Sequence, residues 1–226
     1  MIKQTICEFF DFIKSPQQSF RSNHKVGVIV LCGAIMVLIN ISTITLNFIY
    51  GYFRLDFPDR ALSSFEDKYF LYHLLLVPII EEIGFRLYLI PKRRNILLSS
   101  VFVVWIVYPM IITAPESPTK YTIIHSIISM AAGLVVFLFL GKIIPHIKYS
   151  YFFYFSALFF GSLHFNAFIY DGISFFSFLY VLLSIILATL GGIVFGYIRV
   201  SLGIIYSILF HFLINFLPIM AAFEKI

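Results

Sequence analysis

Charge is scarce in this sequence. Asp, Glu, Lys and Arg make up 12% of its 226 residues, against 61% hydrophobic residues, a balance that soluble domains of this length do not reach. Cysteine is scarcer still: Cys7 and Cys32 stand apart without metal-ligand spacing, which leaves no disulfide framework and no redox motif. No basic cluster exceeds Lys92, Arg93 and Arg94, so the net charge of +5 does not point to a nucleic-acid partner. The sequence has no His-Glu-x-x-His helix, and no polar stretch long enough for a soluble domain. What fills the chain is apolar and aromatic, with 28 Phe and 14 Tyr, a composition suited to lipid-facing helices and interfacial belts. It reads as a membrane protein.

Windows of about 20 apolar residues predict an all-α, polytopic transmembrane helix bundle of about seven spans, within a range of six to eight. The spans run near Val26–Tyr50, Tyr69–Ile90, Ile96–Ile112, Tyr121–Ile144, Tyr149–Tyr170, Ile173–Ile198 and Ser201–Ala222. Before them, Ile2, Ile6, Phe9, Phe10 and Ile13 recur at helical spacing among polar residues, which predicts a short amphipathic helix on the inner membrane surface. Residues 1–25 are thus expected as an interfacial segment and 26–226 as one membrane-embedded domain. With the N-terminus inside, the inner segments hold ten basic residues (Lys3, Lys14, Arg21, Lys25, Lys92, Arg93, Arg94, Lys142, Lys148 and Arg199) against five outside (Arg54, Arg60, Lys68, Lys120 and Lys225). The positive-inside rule therefore favours a cytoplasmic N-terminus in the cell membrane. Gly192 and Gly196 are expected at a close helix crossing. Pro78, Pro91, Pro109 and Pro218 are expected at kinks or ends, and His73, His125 and His146 at span ends without special chemistry.

Against this background, VPIIEEIGFRLYLI, Val77 to Ile90, is anomalous. Three charges near a helix centre cost roughly 8–10 kcal/mol on an insertion scale. The thirteen Leu, Ile, Val and Phe residues of Tyr69–Ile90 return roughly 4–8 kcal/mol. Glu81, Glu82 and Arg86 therefore need partners in the bundle or a watery cavity. Glu82 and Arg86 stand four apart with the acid first, the favourable order for an intrahelical ion pair. Glu81 lies about 140° round the helix from Arg86 and is left over.

Other polar groups sit inside the spans. The fifth carries His164 and the seventh carries His211 and Asn215, four apart and sharing a face. At 1.5 Å per residue, Glu81 and His211 each fall roughly 15 Å from the inner span end, with His164 somewhat farther out. A carboxylate and an imidazole can hold and deprotonate a water as general base, while a second imidazole and a carboxamide can donate to the oxyanion formed when that water attacks an amide. No Ser or Cys stands in an obvious nucleophile motif. No cofactor is expected. Glu81, His164 and His211 would also suit zinc, the weaker alternative.

The same residues form a pattern. EEIGFR fits EExxxR, FGSLH from Phe160 to His164 fits FxxxH, and HFLIN from His211 to Asn215 fits HxxxN, in that order and each on an apolar span. The ordered triple resembles the CPBP family, the CAAX-protease and bacteriocin-processing (Abi) membrane proteins, with a motif core at 69–222. The resemblance implies a glutamate-type intramembrane endopeptidase acting on a membrane-associated peptide or protein. Glu81 with His164 would activate the water, and His211 with Asn215 would stabilise the oxyanion. Glu82 and Arg86 would support the site and Phe160 would pack beside it. Leu87 stands where the family often has Gly, and the first and second motifs are separated by two extra spans. The competing expectations are a non-catalytic bacteriocin-immunity or regulatory protein of the same fold, and a transporter using Glu81 as a proton relay, although no clear internal repeat is present.

Overall fold

Peptide groups in lipid must be satisfied internally, and this chain does so with helices. The computed structural model describes residues 2–52, 75–111, 118–164 and 175–223, which are almost wholly helical and contain no strand. In chain order the helices are α1 (Ile2–Lys14), α2 (Lys25–Tyr52), α3 (Val77–Arg86, continued by a 3-10 turn over Leu87–Leu89), α4 (Arg93–Ile111), α5 (Pro118–Ile143, with a 3-10 turn over Ile144–His146), α6 (Tyr149–Leu163), α7 (Phe175–Ser201) and α8 (Ile204–Phe223). The all-α bundle is as expected. Among the described residues three segments are long and apolar enough to cross a membrane: Lys25–Ile49, His125–His146 and Phe178–Ser201, with Ile204–Phe216 a shorter apolar helix. Large apolar side chains such as Leu38, Phe48, Val135, Phe139, Phe155, Phe175 and Leu213 point outward from the bundle, a surface compatible with lipid rather than water.

Helix α7 is the centre. From Val194 to Val200 every residue is buried, the signature of a helix surrounded by others, and α6, α2, α8 and α3 all pack on it. Close approach to α6 depends on missing side chains: a Cβ on Gly196 would stand 2.7 Å from the Phe153 ring, and one on Gly192 3.2 Å from the Ala157 backbone. The expected small-residue crossing is present. After Ser201 the chain turns at Gly203, whose φ of 114° suits glycine alone at little cost. Its N–H meets the Ile198 carbonyl at 3.2 Å. The turn sends α8 back along α7, which sets Ser207 and His211 against α3.

Helix α1 is seated on the bundle. Phe12 contacts Phe153 and Tyr197 at ring distances of 5.2 Å each, and the Tyr154 hydroxyl donates to the Ile13 carbonyl. The links α1–α2, α3–α4 and α5–α6 meet around a cavity of about 520 Å³ lined by residues that include Gln17, Ser19, Pro91, Pro145 and Tyr149. Arg21 donates to the Val200 carbonyl at the same end, so the segments bearing the ten counted basic residues gather on one side. Pro78 opens α3 and Pro91 lies in the α3–α4 link, whereas Pro109 and Pro218 are carried inside α4 and α8. His125 stacks on Trp105 at 5.1 Å, and His146 is exposed in its link. His73 lies outside the described residues.

Candidate active site

Three neighbouring helices fix the short helix α3 by its backbone. The Leu87 N–H reaches past its usual acceptor to the Glu82 carbonyl, and the Ser99 hydroxyl of α4 serves the Ile83 carbonyl at 2.8 Å. Ser156 of α6 donates to the Phe85 carbonyl at 2.6 Å. Arg199 of α7 donates from Nε to the Arg86 carbonyl at 3.2 Å, placing a cation where the helix dipole is negative. These donors supply the carbonyls that the end of α3 leaves open.

The side chains of α3 then meet α8. Glu82 and Arg86 are wholly buried, with Arg86 Nε 3.7 Å from Glu82 Oε1, the ion pair expected from their spacing. The Arg86 guanidinium lies over the Phe160 ring, Cζ to centroid 3.8 Å, with Phe195 and Phe85 at 5.6 and 5.8 Å. Cation–π attraction to these rings stands in where the guanidinium N–H groups have no hydrogen-bond acceptor among the described residues. His211 sits between the two glutamates: its Nδ1 is 3.0 Å from Glu82 Oε1 and its Nε2 is 3.4 Å from Glu81 Oε2. Ser207, one turn earlier on α8, donates to the other Glu82 oxygen. Phe195 stacks on the His211 ring at 4.6 Å and 22°. Glu81 is the more open acid, its side chain 21% exposed.

The remaining expected residues lie around this centre. Phe160 touches both Arg86 and, at 6.0 Å, His211. His164 caps α6 and is exposed; its Nδ1 is 3.0 Å from the Phe160 carbonyl. A carbonyl accepts only, so Nδ1 carries a proton, and in the neutral ring Nε2 is then an acceptor. Among the described residues His164 makes no ion pair with Glu81 or Glu82. Asn215 is half-buried one turn beyond His211, and the neighbouring Ile214 carbonyl is 3.4 Å from Asn40 Nδ2 of α2. Thus Glu81, Glu82, Arg86, Phe160 and His211 are brought together, while His164 and Asn215 flank them. Among the described residues no three His, Cys, Asp or Glu side chains form a metal-holding group.

Sequence reasoning missed Ser207, Phe195 and Arg199. Ser207 had a signal, since Ser207, His211 and Asn215 recur every four residues as a polar stripe on an apolar helix. Arg199 was counted as a loop charge, yet it is 7% exposed and bonded to α3.

Comparison of the chain with known families decides which one it belongs to. A family described as type II CAAX prenyl endopeptidase Rce1-like matches residues 68–217. The chain belongs to the Rce1-like family. This bears out the CPBP resemblance, and the Rce1-like match spans all three motifs, from Glu81 to Asn215. No curated protein and no solved structure matches the chain. The Rce1-like family is a protease family, which supports a peptidase embedded in a membrane, with a peptide or protein as substrate.

Proposed function

We propose that the protein is a glutamate-type intramembrane endopeptidase in the cell membrane, with its N-terminus inside and α2 to α8 as seven spans. One observation carries the reading: of the two adjacent acids, Glu82 is consumed by Arg86, Ser207 and His211, while Glu81 is partly open and meets only His211 among the described residues. A general base must be free to take a proton, and Glu81 is the acid that is. Substrate entry separates Glu81 from His211. Glu81 and the bare Nε2 of His164 then hold a water, whose oxygen attacks the peptide carbonyl carbon as its proton passes to Glu81. The tetrahedral oxyanion is stabilised by N–H donors from His211 and Asn215. As the C–N bond breaks, the proton held by Glu81 goes to the leaving amine, so water is added across the bond and the carboxylate is regenerated. The family's description makes a prenylated peptide with a C-terminal CAAX sequence the first substrate to try; precursors of small secreted peptides are the next.

The test compares wild type, Glu81→Gln and His164→Ala at matched expression, with membrane and secreted peptides profiled by mass spectrometry and a farnesylated CAAX peptide assayed in parallel. A peptide shortened by wild type alone is the expected result, with Glu81→Gln inserting and purifying normally but inert. Wild-type cleavage by Glu81→Gln removes Glu81 as the base. A wild-type phenotype that persists in both variants without cleavage favours the immunity or regulatory reading. Loss of cleavage to a chelator, restored by zinc, favours the metal alternative at Glu81, His164 and His211.

A further inference from the structure

The serine of the polar stripe on α8 has no part in the reaction written above, yet it is one of the most buried polar groups in the molecule. Ser207 is fully buried, and its Oγ lies within hydrogen-bond distance of two acceptors, Glu82 Oε2 and the Phe195 carbonyl at 3.1 Å. A hydroxyl has one proton to give, and the carboxylate is the stronger acceptor because the bond is charge-assisted. With that oxygen held, Glu82 presents Oε1 to Arg86 Nε and to His211 Nδ1. Both acids can only accept, so His211 offers a proton from Nδ1 to Glu82 and one from Nε2 to Glu81 and the space where substrate would come.

We propose that Ser207 is a positioning residue for His211, acting through Glu82: it fixes the carboxylate so that the Nδ1 proton of His211 is held and the Nε2–H edge is aimed at Glu81. The two helices offer little else for this task. Arg86 approaches Glu82 without a hydrogen bond. Without the hydroxyl, Glu82 Oε2 is a buried acceptor with no partner among the described residues, and the carboxylate is free to rotate toward Arg86. His211 then loses the acceptor that holds its Nδ1 proton. The consequence for catalysis rests on the protease reading, but the placement of the proton does not.

The experiment reads the proton directly. The protein is reconstituted in nanodiscs with isotope-labelled histidine imidazoles, and the His211 nitrogens are assigned by their absence in His211→Ala. Wild type is expected to show a protonated Nδ1, Ser207→Thr to keep that pattern, and Ser207→Ala to give a mixture with a form protonated on Nε2 alone. Ser129→Ala, which removes another fully buried serine, in the middle of α5, is expected to leave it unchanged. A bare Nδ1 in wild type overturns the proposal without any variant. Wild-type signals in a folded Ser207→Ala protein overturn it as well. On the farnesylated CAAX peptide, Ser207→Ala is expected to lose about ten- to a hundredfold in kcat, the effect of one lost hydrogen bond to a charged group, with Ser207→Thr recovering most of it. A protonated Nδ1 that shifts in Ser207→Ala, in a protein inert toward every peptide, keeps the positioning role and sinks the protease reading alone.

Discussion

At the scale of single residues, the site is a problem in placing unlike charges out of water. Glu82 has three partners: Arg86, His211 and Ser207. Arg86 has one carboxylate and aromatic faces. Their losses should therefore be unequal. Glu82→Gln leaves the guanidinium with no counter-charge at contact distance, and its cost is expected near about 3–5 kcal/mol, the range for breaking a buried ion pair. Arg86→Met keeps the volume and leaves Glu82 its two other donors, for about 1–3 kcal/mol. Thermal unfolding of both variants in one detergent checks the order; equal or reversed losses would mean that Arg86 is stabilised by something other than Glu82. The pair itself was legible, because three charges in an apolar run demand partners and a four-residue spacing supplies one. That Glu81 meets His211 was not legible. Its direction on the helix correctly takes it away from Arg86, but an imidazole has acceptor-facing nitrogens on two edges, so a single His211 on another helix meets both acids. No spacing rule within one helix contains that information.

At the scale of elements, α6 and α7 hold the aromatic floor of the site, since Phe160 and Phe195 both lie against Arg86 and His211. Their crossing depends on glycine from both sides. A Cβ on Gly161 would stand 2.9 Å from both the Ile185 carbonyl and the Thr189 nitrogen, backbone atoms that cannot step aside. Gly161→Ala is expected to destabilise by about 1–3 kcal/mol, as overpacking does, and to lower activity by prying Phe160 from Arg86. Gly141 is the control: near the end of α5 it has nothing within 4 Å of an added Cβ, and alanine there should be neutral or gain up to about 1 kcal/mol from helix propensity. Paired melting curves decide between them. The Gly192 and Gly196 pair was legible by its four-residue repeat, whereas Gly161 is a lone glycine in its helix and only the partner reveals it. Helix ends were the least legible feature. The Tyr69–Ile90 span closes its α-helix at Arg86 because Arg199 and Ser156 take up the freed carbonyls, and those donors come from helices 70 and more residues away in sequence.

At the scale of the whole molecule, the arrangement turns a count of charges into a geometry. The loop ends that carry Lys14, Arg21, Lys92 to Arg94, Lys142 and Lys148 converge on one side of the bundle, with α1 seated there through Phe12. If α2 to α8 are seven alternating spans, as proposed, the end of α8 lies on the opposite side. If the basic end faces the cytoplasm, as the positive-inside rule requires, every residue of α1 is inside. Two thiols make this measurable without engineering, because Cys7 on α1 is exposed and Cys32 on α2 is buried. A membrane-impermeant maleimide should leave Cys7 unmodified in intact cells and modify it once the membrane is opened, with Cys32 silent in both cases. A reactive tag fused after Ile226 should show the reverse, labelled in intact cells. Labelling of Cys7 from outside inverts the topology and turns the Glu81 face toward the other leaflet. Labelling of Cys7 and the tag on the same side leaves the orientation of α1 intact but makes the number of crossings even, and the bundle must then contain a helix that does not span.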